Sequence, residues 1–257
     1  MVLGLFRSKK DRKRKAINVA RVPDGMRVYA IGDIHGRHDL MKQLLKQIDE
    51  DNAQRGETST HIIFLGDLVD RGPDSAAVIE HAMKIKKKRG HNVRFLMGNH
   101  EEVFLKACRE ADKKTARFFV RIGGEETILS YPISKQDYRE LDMGELAARL
   151  PGLIPEEHLA FIETFEDQII IGDYIFVHAG LRPGVPLPQQ EPSDLRWIRS
   201  DFLDHRGEFE KVVVYGHTIY KDVSESRGRI GIDTGAYDSG KLTAIGLEGN
   251  ERWYLQT

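Results

Sequence analysis

The chain has 257 residues, a length that fits one large domain or two small ones. Hydrophobic residues make up 40% of it and charged residues 31%, a balance that supports a globular core and excludes a wholly disordered chain. No apolar run approaches the roughly 20 residues that a transmembrane helix needs. The single cysteine, Cys108, excludes an internal disulfide and a zinc site built on several cysteines.

Charge is distributed unevenly along the chain. Residues 1–21 carry eight Lys/Arg against one Asp, which leaves a net charge of −8 on the remainder. An acidic body argues against duplex DNA as a partner, and no obligate partner is inferred. The basic run follows a short apolar stretch, the reverse of the order in a secretory signal, so we expect a cytoplasmic protein. Two interpretations of residues 1–21 stay open: a flexible, solvated tail, or a weak contact with an anionic membrane or RNA.

Runs rich in β-branched residues, most of them followed by glycine, predict eight strands. They cover residues 27–31, 61–65, 92–97, 169–171, 174–177, 211–215, 229–232 and 242–247. Amphipathic patterns predict helices over 38–54 and 74–89, so the first three strands form a parallel β-α-β-α-β unit. Residues 101–168 read as a helical insertion with a break at Gly123-Gly124. We therefore predict one α/β domain over residues 22–257, with this insertion, after a basic tail over residues 1–21.

Short polar segments that contain glycine follow five of the predicted strands. They are Gly32-Asp33-Ile34-His35-Gly36, Gly66-Asp67-Leu68-Val69-Asp70-Arg71-Gly72, Gly98-Asn99-His100-Glu101, His178-Ala179-Gly180 and Gly216-His217-Thr218. Ligands of α/β proteins bind beyond the carboxyl ends of the strands, so we expect the five segments to converge on one crevice.

The residue types in these segments indicate a metal site. Asp33 and His35 are two residues apart at a strand end, so their side chains point the same way. Oxygen and imidazole donors without thiolate suit manganese, iron or zinc better than calcium. A carboxylate can bridge two ions, and Asp67 is the candidate for that role. Two ions about 3.5–4 Å apart can hold both the attacking and the leaving oxygen of an in-line phosphoryl displacement.

The motifs GDxHG, GDxVDRG, GNHE, HAG and GHT, in this order, resemble those of the phosphoprotein-phosphatase family of binuclear metallophosphoesterases. The resemblance runs from about Met26 to Leu247 and is strongest to the small bacterial and phage serine/threonine phosphatases. It implies a calcineurin-like metallophosphoesterase fold, which is a β-sandwich of two mixed sheets flanked by helices.

The resemblance also implies a ligand set for two divalent ions. In chain order the six ligands would be Asp33, His35, Asp67, Asn99, His178 and His217. Asp33 and His35 would bind the first ion and Asp67 would bridge to the second. Ile219 stands where other metallophosphoesterases end their Gly-His-x-His motif, so water would complete the first ion's ligands. Manganese is the expected metal, with iron or zinc as alternatives.

For catalysis the resemblance implies that His100 is the general acid and that Asp70 orients it. The side chains that would hold the substrate phosphate are Arg71, Asn99 and Arg199. Arg196 is the alternative to Arg199, because both lie close to the Trp-Ile-Arg motif. The reaction implied is phosphomonoester hydrolysis, in which a water that bridges the ions attacks phosphorus in line.

The substrate is the open question at this point. A phosphoprotein carrying phosphoserine or phosphothreonine is the leading interpretation, and Glu101 after His100 favours it. The alternative is a phosphorylated small molecule: a dinucleoside polyphosphate such as diadenosine tetraphosphate, a related nucleotide, or an RNA end. A non-catalytic phosphate-binding module is disfavoured, because His100, Asp70 and all six ligand candidates are present. We also expect residues 123–151 to overhang the site, with Arg121 and Tyr131 as candidate substrate contacts, although core packing is the leading interpretation of Tyr131.

Overall fold

The computed structural model describes residues 20–257. The predicted basic tail lies outside the described residues except for Ala20 and Arg21. The backbone N–H of Arg21 donates to the Asp173 carboxylate at 3.0 Å, and the backbone N–H of Asp173 donates to the Arg21 carbonyl at 2.9 Å. The chain is therefore already packed against the body of the domain at residue 21.

Ten strands form two five-stranded mixed sheets within the described residues. The first sheet has the order β10-β9-β1-β2-β3, with β1 (Met26–Ile31), β2 (Ser59–Phe64), β3 (Val93–Phe95), β9 (Thr243–Glu248) and β10 (Glu251–Gln256). The second has the order β4-β5-β6-β8-β7, with β4 (Gln168–Ile171), β5 (Tyr174–Val177), β6 (Val212–Tyr215), β7 (Ser224–Ser226) and β8 (Arg229–Gly231). Each sheet has a parallel centre: β1, β2 and β3 in the first, and β5, β6 and β8 in the second.

Helices flank the two sheets. In chain order they are α1 (His38–Gln54), α2 (Ser75–Arg89), α3 (Asn99–Glu110), α4 (Lys113–Phe119), α5 (Glu125–Leu129), α6 (Lys135–Glu140), α7 (Met143–Leu153), α8 (Glu156–Ile162), α9 (Pro192–Trp197), α10 (Ser200–Leu203) and α11 (Ala236–Ser239). A π-helical turn over Val120–Gly124 links α4 to α5, and Gly123 breaks it with φ of 114°. None of these helices has the length and hydropathy of a membrane span.

The side-chain alternation of the strands explains the layering. In β1, Tyr29 and Ile31 join the core beneath α1, α2 and the inserted helices, whereas Val28 and Ala30 face the second sheet. Successive side chains of a strand point to opposite faces, so a strand that is apolar throughout is buried on both sides. In β5, Phe176 likewise packs between the sheets. The result is a sandwich of two sheets covered by helices, which confirms the predicted fold class.

All eight predicted strands are present, and β7 and β10 are two that the sequence pattern missed. β10 has the sequence Glu-Arg-Trp-Tyr-Leu-Gln and pairs only with β9, at the edge of its sheet. β7 has three residues at the opposite edge of the other sheet. Neither β7 nor β10 has a fully buried residue, so both lack the apolar signal that reveals the other strands.

Candidate metal centre

The five polar segments meet where the parallel strands of both sheets end. The backbone N–H of Ile34 donates to the Asp67 carbonyl at 3.0 Å, and that of Gly216 donates to the His178 carbonyl at 2.8 Å. A Cβ on Gly98 would overlap the Asp67 backbone, and one on Gly216 would overlap the Asp33 carboxylate. Glycine is needed at these two positions because adjoining segments pass too close for any side chain.

Several site residues adopt backbone conformations that L-residues rarely use. Within residues 20–257, five of the seven non-glycine residues with positive φ lie in the polar segments: His35, Asp67, Asp70, Arg71 and His217. Their φ values run from 46° to 73°. Such conformations cost free energy and persist where the surrounding structure holds them, typically at functional sites.

Hydrogen bonds to backbone carbonyls place a proton on Nδ1 of two histidines. Nδ1 of His35 lies 2.8 Å from the Val69 carbonyl, and Nδ1 of His178 lies 2.8 Å from the Leu65 carbonyl. Each ring must donate its Nδ1–H there, so Nε2 is the ring nitrogen that faces the other candidate ligands. Metal-binding histidines are oriented in this way. Nδ1 of His217 lies 2.8 Å from Oδ1 of Asn99.

Asp67 lies at the centre of two groups of donor atoms. His35, Asp67 and His100 form one group, and Asp67, His178 and His217 form the other; within each, one ligand atom per residue lies within 4.8 Å of the others. Nε2 of His35 is 3.6 Å from Oδ2 of Asp67, and Nε2 of His178 is 3.4 Å from Oδ1. The shared carboxylate is the arrangement expected of a bridging ligand.

The site has buried ligand atoms without partners and closely spaced buried carboxylates, an environment that favours bound cations. Oδ1 of Asp33 and Nε2 of His217 are buried and have no hydrogen-bond partner within residues 20–257. Burial and the neighbouring Asp233 carboxylate raise the pKa of Asp33 well above its ordinary value. Burial lowers the pKa of His178, but the Asp67 carboxylate outweighs it and raises the pKa to about 10. The donor set of carboxylate, amide and imidazole therefore fits divalent metal ions, without fixing which metal.

All six predicted ligands are buried and lie together. Asp33 lies beside His217, whose backbone N–H donates to Oδ2 of Asp33 at 2.9 Å. Asn99 lies beside the second donor group, with its Oδ1 3.0 Å from Nε2 of His178. The structure also places the predicted acid, His100, next to the first group, with its Nε2 3.9 Å from Oδ2 of Asp67.

His100 lies between a carboxylate and a guanidinium. Its Nδ1 is 2.7 Å from Oδ2 of the buried Asp70, and its Nε2 is 2.9 Å from Nη2 of Arg71. Burial lowers the pKa of His100, but the Asp67 and Asp70 carboxylates raise it above the ordinary value. Nη1 of Arg71 also donates to Nε2 of His35 at 3.0 Å, so this guanidinium reaches both donor atoms.

The structure separates the two candidate arginines of the Trp-Ile-Arg region. Arg196 is half-buried and paired with Asp167 at 2.7 Å and Glu102 at 3.3 Å. Arg199 is exposed. The pKa of His217 is lowered first by burial, then by the neighbouring His178, and also by the charge of Arg199, which is therefore close to His217. Arg199 is thus the arginine that is open to a ligand.

Glu101 has a role that sequence reasoning missed. Its buried carboxylate accepts four backbone N–H groups: those of Asp67 and Gly98 at Oε2 and those of Leu68 and Val69 at Oε1. Its side chain is therefore enclosed beneath the Asp67 loop. Its position beneath the loop gives Glu101 no direct part in the choice between a phosphoprotein and a dinucleotide.

Tyr237 and Asp233 are two further site residues that sequence reasoning did not assign. The Tyr237 ring stands edge-on to His35, with centroids 5.4 Å apart, and lies 4.9 Å from the Arg71 guanidinium carbon. Asp233 is buried, accepts from the backbone N–H of Gly235 at 2.9 Å and has its pKa raised to about 6, chiefly by burial. Both lie in the segment between β8 and β9. The sequence Gly-Ile-Asp-Thr-Gly-Ala, which contains Asp233 and directly precedes Tyr237, is the pattern that marks this segment.

The inserted segment contacts the site through its backbone, and Tyr131 has the core position that the sequence favours. Tyr131 is buried, and its hydroxyl bonds to Nδ1 of His158 at 2.9 Å, so it belongs to the core. Arg121 lies over the Phe118 ring at 5.1 Å. The contact with the site comes from the Gly123 carbonyl, which accepts the backbone N–H of Arg71 at 2.9 Å.

Comparison with known proteins agrees with this geometry. The sequence profile of the calcineurin-like phosphoesterases matches residues 26–239. The symmetrical bis(5'-nucleosyl)-tetraphosphatase of Vibrio parahaemolyticus is 25% identical, over 87% of this chain and 96% of its own length. The asymmetrical enzyme PrpE of Bacillus subtilis is 26% identical, over 84% and 88%. A putative diadenosine tetraphosphatase of known structure superposes with a TM-score of 0.60, at 21% identity, over 90% of this chain and 93% of its own. The chain belongs to the calcineurin-like phosphoesterase family.

Proposed function

We propose that this phosphoesterase hydrolyses dinucleoside polyphosphates such as diadenosine tetraphosphate. The support comes from relatives aligned over most of both chains, which are named as bis(5'-nucleosyl)-tetraphosphatases. The alternative drawn from the sequence motifs therefore has more support than a serine/threonine protein phosphatase. Fold alone would not separate the two, because one metal core serves several phosphoester substrates.

The observation that carries the hydrolytic chemistry is the pair of donor groups that share Asp67. We assign Asp33, His35 and Asp67 to one ion and Asp67, Asn99, His178 and His217 to the other. Two bound divalent ions would lower the pKa of a water and neutralise charge on the phosphoryl group being transferred. The chain's own contribution is to hold six buried ligand residues together, with the Nδ1 protons of His35 and His178 fixed by backbone carbonyls.

Three further residues would act on the substrate directly or through a neighbour. His100 would donate the proton at Nε2 to the leaving oxygen, while Nδ1–H stays bonded to Asp70. Arg71 would turn its guanidinium from the two histidines to the phosphoryl oxygens, where its planar pair of N–H donors matches phosphate. Arg199 would bind the remaining phosphates from the open side.

A cleft beside α3 suits a nucleoside group. It is an open surface cleft of about 460 Å³, lined by the stacked rings of Phe118 and Trp197 and by Lys106 and Lys114. Glu102 belongs to the same lining and follows the proposed acid by two residues. Aromatic rings stack on nucleobases of any sequence, and lysines attract a polyphosphate chain.

The test is a panel of substrates with the manganese-loaded protein. Diadenosine tetraphosphate, a phosphoserine peptide and p-nitrophenyl phosphate are compared by kcat/KM, and the nucleotide products are separated by chromatography. We expect the dinucleotide to have the highest kcat/KM. Two diphosphates would indicate symmetrical cleavage, and a triphosphate plus a monophosphate asymmetrical cleavage. A phosphopeptide kcat/KM tenfold above that of the dinucleotide would refute the proposal.

Two variants sharpen this panel. Asp67→Asn should lose activity on every substrate, because it alters both donor groups. Phe118→Ala should raise the KM for the dinucleotide several-fold and leave that for p-nitrophenyl phosphate unchanged, since stacking is worth about 1–3 kcal/mol per base. Equal effects of Phe118→Ala on both substrates would place the nucleoside elsewhere.

A further inference from the structure

Asp70 lies inside a closed set of hydrogen bonds that reaches beyond the five polar segments. Its carboxylate, Thr127 and Ser75 are all fully buried. Oδ2 of Asp70 faces Nδ1 of His100 at 2.7 Å, and Oδ1 accepts the Thr127 hydroxyl at 2.7 Å. The backbone N–H of Asp70 lies 2.8 Å from Oγ1 of Thr127 and 3.1 Å from Oγ of Ser75. Both oxygens of this carboxylate are thus held by side chains.

The donors of this network can be assigned one by one. Thr127 has a single O–H, and the carboxylate Oδ1 of Asp70 can only accept it. The 2.9 Å contact between Thr127 and Ser75 must then use the Ser75 proton, so Ser75 donates to Oγ1 of Thr127. His100 must likewise donate its Nδ1–H to Oδ2 of Asp70. The order of donation is Ser75 to Thr127 to Asp70, and His100 to Asp70 from the other side.

The segment that carries Thr127 also holds the neighbouring backbone. Thr127 lies in α5, 57 residues after Asp70, and the Gly123 carbonyl of the same segment accepts the Arg71 N–H at 2.9 Å. Asp70 and Arg71 have φ of 73° and 68°, in the left-handed region that non-glycine residues avoid. A strained turn of this kind persists only where neighbouring segments hold it in place. The inserted segment supplies these contacts through Thr127 and Gly123.

We propose that Thr127 is a positioning residue for proton transfer by His100. Its hydroxyl fixes the rotation of the Asp70 carboxylate, and the carboxylate keeps the His100 proton on Nδ1. Nε2 is then the atom that gives its proton to the leaving oxygen: the Nε2–H bond breaks, an O–H bond forms, and the neutral ring retains Nδ1–H. This inference rests on the proposed role of His100 as the acid, and it adds a residue from the insertion to that role.

The experiment compares Thr127→Val, which removes the hydroxyl at nearly constant shape, with Thr127→Ser, which keeps it. Thr164→Val is the control, because Thr164 is an exposed threonine of the same insertion. Each variant is assayed on p-nitrophenyl phosphate, whose leaving group needs little protonation, and on glycerol phosphate, whose alkoxide needs a proton. Bound metal is measured by elemental analysis, and the His100 ring nitrogens are observed by ¹⁵N NMR of metal-free protein.

Thr127→Val should lose roughly 10- to 100-fold in kcat on glycerol phosphate, a part of the general-acid contribution, and less than about threefold on p-nitrophenyl phosphate. Its metal content should be unchanged, and its His100 spectrum should show loss of the pure Nδ1–H tautomer. Thr127→Ser and the control should behave as wild type. If Thr127→Val does not fold, Ser75→Ala provides the same comparison, because it removes the bond that orients the Thr127 hydroxyl.

Equal losses on both esters, or an unchanged His100 tautomer, would overturn the positioning role. His100→Asn is measured in parallel. If it too shows equal losses on both esters, the acid role itself is wrong, and the inference about Thr127 falls with it. A selective loss in His100→Asn together with none in Thr127→Val overturns the inference about Thr127 alone.

Discussion

Replacing Glu101 by glutamine should destabilise the domain by about 3 kcal/mol. Each carboxylate oxygen of Glu101 accepts two backbone N–H groups, at 2.7 and 3.0 Å on Oε2 and at 2.7 and 3.2 Å on Oε1. An amide group in place of either oxygen cannot accept, so two buried N–H groups lose their acceptor. A buried unsatisfied donor costs about 1–3 kcal/mol, which gives about 2–6 kcal/mol for the pair. That is a large part of a typical stability of about 5–15 kcal/mol.

The assay is urea unfolding of the metal-free protein, so that altered metal binding does not enter the measurement. Glu110→Gln is the matched control, because Glu110 is exposed on the same helix, α3. We expect the control to lie within about 0.5 kcal/mol of wild type, as exposed substitutions do. If Glu101→Gln also unfolded within about 0.5 kcal/mol of wild type, at an unchanged m-value, the four N–H bonds would not hold the Asp67 loop as argued.

Four further outcomes are expected. Chelated protein should be inactive and should recover with Mn²⁺. It should also gain about 2.7 kcal/mol of stability for each ion bound when free metal is about 100 times the Kd, as differential scanning calorimetry can measure. Because the His178 pKa is raised to about 10, Nε2 of His178 must lose a proton when an ion binds. Metal affinity should therefore fall as the pH is lowered from about 8 to about 6. Calorimetry in buffers of different ionisation enthalpy should detect the released proton. Arg199→Ala should raise the KM for diadenosine tetraphosphate and leave the melting temperature unchanged. Arg196→Ala should lower the melting temperature, because it breaks the ion pairs with Asp167 and Glu102. The opposite pattern would reverse the assignment of the two arginines. Deletion of residues 1–19 should leave turnover of p-nitrophenyl phosphate within about twofold of the full chain, because no candidate site residue lies there, and a larger loss would refute the predicted domain boundary.

Several parts of the site are predictable from the amino-acid sequence, because each is a local pattern. Asp33 and His35, two residues apart after an apolar run, are recognisable from the alternation of a strand and from the glycine that follows it. Asp67 and Asn99 are marked in the same way by the strands that precede them. The parallel order of β1, β2 and β3 follows from the helices between them, since parallel strands need a crossover.

Other features depend on contacts between distant segments and leave no local pattern. Thr127 looks like an ordinary helical residue, and its role appears only when α5 packs against the turn at Asp70. Glu101 is in a recognisable motif, yet the four N–H groups that it accepts come mostly from another loop. Core packing is the leading expectation for Tyr131, and its burial beside His158 agrees, but its partner comes from a separate helix, α8, and is not visible in the sequence.

The sequence by itself determined the parallel direction of β1, β2 and β3, the donor residues and the class of chemistry, because strand alternation, crossover helices and glycine-flanked polar ends are encoded in local patterns. Only the tertiary structure decided which ring nitrogens of His35 and His178 face the other candidate ligands, which arginine is open to a ligand and which residues hold the Asp70–Arg71 turn. Hydrogen-bond partners and burial are set by chain segments far apart in sequence. Arg196 and Arg199 are three residues apart in the same motif, and only the carboxylates that fold against Arg196 distinguish them.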